Sequence, residues 1–231
     1  MKNKMIDIRQ AISGIGDGAT IMVGGFGSPG TPFTLIDALV EYGSKNLTLI
    51  KNDANEAHIG ISKLLESGQV SRLITSHLGL NRHAIDKMKN EEIDVEFVPQ
   101  GMLAERIRCK GVGLPAFLSK IGLDTEITAS ESLTTIDGEV YKVERAIQAD
   151  FALIHAEVAD RYGNLRYNAT AMNFNPLMAM AAKQVIVETA NCSEDALAPD
   201  AIHTPGIFVD QLCIMNNLSK SYQLMEHHIH V

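Results

Sequence analysis

The chain of 231 residues is long enough for one large α/β domain or two small ones, and its 45% hydrophobic residues can build a sizeable core. Its formal net charge is −8, and its lysines and arginines are too dispersed to form a stripe that binds nucleic acid. No apolar run approaches the roughly 20 residues that a membrane helix needs, and the polar start MKNKMIDIRQ is not typical of a signal peptide.

The cysteines are odd in number and scattered, and none has C-x-x-C spacing: Cys109, Cys192 and Cys213. This pattern is typical of a reducing compartment and argues against a disulfide framework or a zinc site. We therefore expect a cytoplasmic protein with no metal site.

Short apolar runs alternate with amphipathic segments over roughly the first 110 residues. Strands are predicted at 21–23, 47–50, 72–75 and 95–98. Helices are predicted at 32–42, 59–66, 84–89 and 103–108, the first with Thr31 as its N-cap and Pro32 at its first position. This order predicts a parallel sheet with helices on both faces, and ligands bind at the carboxyl ends of such strands.

The second half has a different pattern. Residues 111–122 (GVGLPAFLSKIG) are glycine-rich and predicted as a loop, and Asp137-Gly138 between LTTI and EVYKV predicts a hairpin. Further strands are predicted at 151–156 and 185–187, with a turn at 161–164 that returns through 165–167. A helix is predicted after Asn175, with Pro176 at its first position. We expect one continuous domain with an antiparallel addition.

The stretch IMVGGFGSPGTPFTLIDALV, residues 21–40, contains a nominal G-x-G-x-x-G at Gly25, Gly27 and Gly30. With Asp53 after the second strand, it could belong to a dinucleotide-dependent oxidoreductase. Pro29 and Pro32 delay the helix start, however, and Asp53 lies further on than the usual distance of about 20 residues. A turn needed only for chain geometry is another possibility. The chain has no P-loop motif.

The same region resembles the signature of family I coenzyme A transferases in their alpha (A) subunits. That signature is an acidic or Asn residue, Gly or Asn, two free positions, three apolar residues, G-G-F, three free positions, G, one free position and P. Every fixed position is met, by Asp17, Gly18, Ile21, Met22, Val23, Gly24, Gly25, Phe26, Gly30 and Pro32. The stretches LTLIKNDA, VPQGMLAERIR, DRYGNLRYNATAMNFNP and HTPGIFVD also resemble that family, in the same order. The resemblance covers about residues 1–214, which predicts one domain there and a C-terminal tail at 215–231.

The resemblance implies an α/β fold, the CoA-transferase (NagB/RpiA-like) fold, with a mostly parallel sheet flanked by helices and an antiparallel hairpin addition. It implies transfer of coenzyme A between a short-chain acyl-CoA or 3-oxoacyl-CoA and a carboxylate such as acetate or acetoacetate. Such chemistry belongs to short-chain fatty acid metabolism. Coenzyme A would be a substrate, with no permanently bound cofactor and no metal.

The family's nucleophile is a glutamate in an S-E-N-G motif on the beta (B) subunit, which acts through a ping-pong glutamyl-CoA intermediate. This chain has no S-E-N-G, and we interpret Glu131 in its nearest string, SES, as a solvated turn residue. The resemblance therefore predicts no catalytic nucleophile in this chain. A beta subunit would complete the active site, as an α2β2 heterotetramer.

Seven consecutive loop residues are expected to line the coenzyme A site: Gly24, Gly25, Phe26, Gly27, Ser28, Pro29 and Gly30. Glycines let the backbone approach a ligand and offer N–H groups, and the following helix adds its positive end. Phe26 could be an apolar contact for the ligand or a core side chain that pins the loop. By the resemblance, the uncharged amides of Asn52 and Gln100 support the substrate carboxylate or the oxyanion near the glutamate. We expect Asp53 to cap the loop or the next helix.

Other polar residues are expected to be structural. They are His77, Arg106 and Arg108, the helix start at 173–176, and the terminal histidines His227, His228 and His230 in a mobile tail. Lys110, Ser119, Ile121 and Asp124 depart from the family's usual run after the AERIR helix, so the acyl group could differ from acetoacetate-type substrates. A non-catalytic module that binds a sugar phosphate or acyl-CoA also stays open; it would bind without a partner chain.

Overall fold

The structure, a computed structural model, describes residues 4–79, 81–123, 125 and 132–222. Six α-helices occur in these ranges: α1 Ile8–Ile12, α2 Phe33–Tyr42, α3 Ser62–Glu66, α4 Arg82–Lys89, α5 Gln100–Gly111 and α6 Asn175–Ala181. None of these helices has the length and apolar character needed to cross a membrane. Glu131, Asp124 and the terminal histidines lie outside the described residues.

Seven parallel strands form the main sheet: β1 Thr20–Val23, β2 Leu47–Ile50, β3 Val70–Thr75, β4 Asp94–Phe97, β8 Ala149–His155, β11 Ala182–Thr189 and β13 Gln211–Ile214. Their order is β13-β11-β8-β1-β2-β3-β4, and every pairing is parallel. The chain first runs outward from β1 to β4 and then returns to the other side of β1 through β8. The connection therefore reverses direction between β1 and β8, where open α/β sheets bind their ligands.

Side chains alternate across β1 and divide the core into two layers. Ile21 and Val23 pack with residues of α1 to α4 on one face, whereas Met22 packs with residues of α5 and α6 on the other. All three side chains are fully buried. Burial on both faces explains the apolar run of residues 21–23 in β1, which shows no polar alternation.

Two three-stranded sheets are added to this frame. One consists of β5 Ala116–Ser119, β6 Leu133–Ile136 and β7 Glu139–Arg145, in the antiparallel order β5-β7-β6. Asp137 and Gly138 join β6 to β7, and both have positive φ (51° and 81°), as a type I′ turn requires. The other consists of β9 Val158–Asp160, β10 Leu165–Arg166 and β12 Cys192–Ser193.

The parallel sheet, its flanking helices and the antiparallel hairpin are confirmed. Two local predictions are wrong. Residues 116–119, predicted as loop, form β5 because β7 pairs with them. Thr31 does not cap α2, which begins at Phe33 with Pro32 as its N-cap; the Thr31 hydroxyl instead donates to Gly27 O. The edge strand β13 was not predicted, because its pairing with β11 is set by tertiary structure.

Candidate functional site: a glycine loop and its cleft

The loop of residues 24–30 follows β1 directly and lies at the reversal point of the sheet. The Gly24 N–H donates to Leu153 O of β8 (2.9 Å), so the ladder between β1 and β8 continues into the loop. Within the loop, the Phe26 N–H donates to Pro29 O (3.1 Å). The loop is therefore a tight turn that stays fixed to the sheet edge.

Three of the four glycines are required by packing inside the protein. A Cβ on Gly24 would lie 1.9 Å from Asn175 Oδ1, and one on Gly30 would lie 2.4 Å from Ala171 O. Gly25 has φ +102°, and a Cβ there would lie 2.2 Å from Thr31 Oγ1. Gly24 and Gly30 therefore let α6 and the turn before it approach the loop, and Gly25 lets the loop fold closely against Thr31.

The tip of the loop faces outward. A Cβ on Gly27 would meet no atom within 4 Å, and the Phe26 side chain is 45% exposed. Phe26 is therefore not a core residue. The tip forms one wall of a cleft of ≈ 200 Å³ that is lined by Phe26, Gly27, Ser28, Asp53, Asn55, Glu56, His77, Leu78 and Gly79. Of the seven predicted loop residues, Phe26, Gly27 and Ser28 line this cleft.

The backbone N–H and the carbonyl oxygen of Gly27 both form hydrogen bonds to other groups of the protein. Its N–H donates to Asp53 Oδ2 (2.7 Å). Its carbonyl oxygen accepts from Thr31 Oγ1 (2.7 Å), Asn55 Nδ2 (2.8 Å) and Lys51 Nζ (3.4 Å). Gly27 therefore offers a ligand no unpaired backbone group, which corrects the expectation that its N–H would be available.

Lys51 and Asp53 form a buried ion pair beneath the loop, with 3.6 Å between Nζ and Oδ1. The Lys51 side chain is 0% exposed, and burial lowers its pKa, which Asp53 partly offsets. Burial tends to raise the pKa of Asp53. The Lys51 ammonium and the N–H donors of Gly27, Asn55 and Asn52 outweigh that effect, so its pKa lies below the ordinary value. Asp53 is therefore ionised at neutral pH and caps the loop, as predicted.

This arrangement disfavours the dinucleotide interpretation. A ribose-binding carboxylate must be open to the ligand, whereas the Asp53 carboxylate already accepts hydrogen bonds from Gly27, Asn55 and Asn52. The helix also begins at Phe33, three residues beyond the last glycine of the motif. In the dinucleotide motif the glycine-rich turn opens directly into the helix.

The two predicted amide residues lie in different environments. Asn52 is fully buried; its Nδ2 donates to Asp53 Oδ2 (3.2 Å), and its Oδ1 accepts from Ser76 Oγ (2.9 Å). Gln100 is exposed at the first position of α5 and does not line the cleft. Their support of a reacting carboxylate stays a prediction.

The remaining candidates separate into two groups. Arg106 pairs with Glu96 (2.9 Å) and Arg108 with Glu105 (3.0 Å), in the helix-surface roles expected for them. His77, which we expected to be structural, is exposed on the cleft wall. Among the residues that depart from the family pattern, Lys110 lies in the last turn of α5, Ser119 ends β5 and Ile121 is exposed.

Several residues that hold the loop were not identified from the sequence. Asn173 Nδ2 donates to Pro29 O (2.9 Å) and Asn175 Nδ2 to Gly30 O (3.1 Å), so the segment expected only to start a helix also fixes the loop. Lys51 and Asn55 were not considered as contacts either. The sequence did contain a signal for them: the pattern K-x-D-x-N places a polar residue at every second position directly after a buried strand.

The family model described as Coenzyme A transferase matches residues 5–214. The chain belongs to the coenzyme A transferase family. It is 43% identical to the acetate CoA-transferase subunit alpha of Escherichia coli (strain K12), over 93% of this chain and 98% of that protein. It is 44% identical to the acetoacetyl-CoA:acetate/butyrate CoA transferase alpha subunit of Clostridium acetobutylicum, over 92% and 98% of the two chains. These matches confirm the family recognised from the sequence.

Solved structures of two proteins named as acyl-CoA or coenzyme A transferases have the same fold. The acyl-CoA transferase YdiF of Escherichia coli O157:H7, solved as a thioester complex with CoA, superposes with a TM-score of 0.82 at 23% identity. That match covers 95% of this chain and 48% of the other, so this chain spans about half the length of YdiF. Glutaconate coenzyme A-transferase of Acidaminococcus fermentans has a TM-score of 0.80 at 19% identity, over 91% and 75% of the two chains.

The glycines give a matched pair of variants for the loop. We expect Gly30→Ala to lower stability by about 3 kcal/mol, because its Cβ would collide with a backbone oxygen at φ +76°. Gly27→Ala should cost only about 1 kcal/mol, since the site is open and φ is +57°, within the left-handed region. Urea unfolding of both variants measures the difference. Equal losses would show that the loop is not packed as described.

The ion pair can be tested by comparing single and double variants. We expect Asp53→Asn to lower the free energy of unfolding by about 3 kcal/mol at pH 7, because it leaves the Lys51 ammonium buried without its partner. The double variant Lys51→Met/Asp53→Asn should lose less than Asp53→Asn alone. If the double variant is the less stable of the two, the pair is not the stabilising unit.

The same variants have a pH signature. Because the folded-state pKa of Asp53 is depressed, its contribution is fully present above the ordinary Asp pKa of about 3.9 and is lost as pH falls through the lower folded value. The stability difference between the wild-type chain and Lys51→Met/Asp53→Asn should therefore shrink below about pH 4. Unfolding curves at pH 7 and at pH 3.5 test this; a constant difference would contradict the assigned shift.

Proposed function

We propose that this chain is the alpha subunit of a heteromeric CoA transferase. It would move coenzyme A between a short-chain acyl-CoA or 3-oxoacyl-CoA and a carboxylate of the acetate or acetoacetate type. The observation that carries the proposal is the near full-length similarity to alpha subunits of such enzymes, together with the glycine-loop cleft at the reversal point of the sheet. The curated relatives at 41–44% identity are named for different acids, so identity alone does not select the acyl group.

The chemistry of the cleft suits the uncharged pantetheine arm and the thioester of coenzyme A. Its nine lining residues include Asp53 and Glu56 but neither lysine nor arginine. The lining therefore offers the coenzyme A diphosphate no cationic lysine or arginine, so the diphosphate would bind outside this cleft. Phe26 offers an exposed apolar surface at the loop tip, which fits the methyl-bearing part of the arm.

The reaction needs a carboxylate nucleophile, and we propose that it comes from the partner subunit. In the proposed route a glutamate carboxylate attacks the acyl-CoA carbonyl, expels the CoA thiolate and forms an acyl-glutamyl anhydride. The thiolate then attacks the glutamyl carbonyl and releases the free acid, which leaves a glutamyl-CoA thioester. A second carboxylate reverses both steps, so one thioester is exchanged for another without ATP.

Two carboxyl groups of this chain line the cleft, and neither fits the nucleophile's role. Asp53 accepts three hydrogen bonds and pairs with Lys51, so attack would break the loop's own support. Glu56 is exposed at the cleft edge. We therefore propose a beta subunit that carries S-E-N-G, in an α2β2 assembly.

Intact-mass analysis tests which chain carries the intermediate. We expect the chain co-expressed with an S-E-N-G partner to transfer CoA between acetoacetyl-CoA and acetate, whereas the chain alone has no activity. After incubation with acyl-CoA and no acceptor acid, a CoA adduct should appear on the partner subunit only. Glu56→Gln should keep the activity and the adduct. A CoA adduct on this chain would overturn the assignment of the nucleophile. Loss of the CoA adduct in the Glu56→Gln variant would also overturn it.

The proposed oxyanion support can be tested at Gln100. Because this side chain is exposed, its removal should not affect folding. We expect Gln100→Ala to lower kcat of the assembled enzyme about 100-fold, with an unchanged melting temperature. Lys89→Ala, at the exposed end of α4, is a surface control. A Gln100→Ala enzyme with wild-type kcat would remove this residue from the mechanism.

A further inference from the structure

Residues 215–222 follow the last residue that the family model matches, and they pack against α2. The Ser219 N–H donates to Thr34 Oγ1 (3.1 Å), and the Ser219 hydroxyl donates to Asp37 Oδ2 (2.6 Å). Lys63 of α3 donates to both Asp37 Oδ1 (2.6 Å) and Ser221 Oγ (3.3 Å). The segment is therefore attached to the first turns of α2 by its own side chains.

Tyr222 places its hydroxyl at the start of α2. The oxygen lies 2.8 Å from Thr31 O, 3.3 Å from the Phe33 nitrogen and 2.7 Å from His155 Nδ1, and it also contacts Glu188 Oε1. The ring packs edge-on against Phe33, with 4.9 Å between centroids. Burial, reinforced by the charge of Glu188, raises the pKa of Tyr222 well above its ordinary value, so the hydroxyl keeps its proton.

The carboxylate beside Tyr222 holds the same helix end. Glu188 is fully buried at the carboxyl end of β11, and its Oε2 accepts from the Leu35 N–H of α2 (2.7 Å). The first N–H groups of a helix have no partner within the helix, and an anion there is stabilised by the helix dipole. Tyr222 and Glu188 together therefore bind the Phe33 and Leu35 N–H groups of the first turn.

Thr31 connects this helix start to the glycine loop of residues 24–30. Its carbonyl accepts from Tyr222, while its hydroxyl donates to Gly27 O (2.7 Å) and its N–H to Ser28 O (3.1 Å). Gly27 and Ser28 line the cleft. A shift of Thr31 would therefore move the loop tip.

We propose that Tyr222 is a positioning residue for acyl-CoA binding, which acts through Thr31 on Gly27 and Ser28. The inference rests on the proposed function, since the cleft must be the coenzyme A site. The segment 215–222 is then a functional part of the subunit, although it lies outside the residues that the family model matches.

Tyr222→Phe removes the hydroxyl and keeps the ring against Phe33. In the co-expressed complex we expect the Kd for coenzyme A, measured by titration calorimetry, to rise about three- to tenfold. The kcat/KM for acyl-CoA should fall by a similar factor, with kcat changed less than about twofold. Tyr42→Phe is the matched control, because Tyr42 donates to Ser13 O (3.2 Å) at the far end of α2 and should leave both constants unchanged.

A double-variant cycle tests the route through Thr31. Thr31→Val removes the hydroxyl that binds Gly27 O and should weaken coenzyme A binding as Tyr222→Phe does, whereas Thr31→Ser should not. Because both variants release the same loop, their combined effect should be clearly smaller than the product of the single effects. Full multiplicativity, or a Tyr222→Phe complex with wild-type Kd and kcat/KM, would overturn the proposal. A wild-type complex that neither binds nor transfers coenzyme A would instead overturn the proposed function.

Discussion

The Gly27 peptide is held from two sides by groups that follow the neighbouring strand β2. Asp53 accepts its N–H, while Asn55 and Lys51 donate to its carbonyl. A loop with four glycines has a high conformational entropy when unfolded, so its single conformation requires several contacts that act together. The hydrogen bonds of Gly27 supply these contacts, and they fix the tip that forms one wall of the cleft.

The glycines of the loop have two different surroundings. Gly24, Gly25 and Gly30 are small because Asn175, Thr31 and the Ala171 carbonyl occupy the space of a side chain. Of the four loop glycines, Gly27 alone faces open space. The three glycines at fixed positions of the signature therefore meet a packing requirement, whereas Gly27, at one of its free positions, lies on the open surface of the same turn.

The elements that could be predicted are those specified by local pattern. Buried runs such as 21–23 and 47–50 and the Asp137-Gly138 turn carry their own signals, and the structure confirms them. The Thr31 cap was wrong because the hydroxyl donates instead to Gly27 O, four residues earlier in the loop. The C-terminal strand pairs with residues 25 positions away, and Tyr222 contacts His155 67 positions away; no periodicity records such pairings. The site was predictable as a loop, but the groups that clamp it were not.

The buried position of Lys51 and Asp53 has a consequence for how the loop responds to its surroundings. Dissolved ions weaken attractions between exposed charges over roughly 8–10 Å at physiological strength, but they cannot enter a site from which solvent is excluded. Surface pairs such as Arg82–Asp86 are open to that screening. The charges that hold the glycine turn are the buried pair of Lys51 and Asp53, so the conformation of the turn should not depend on ionic strength.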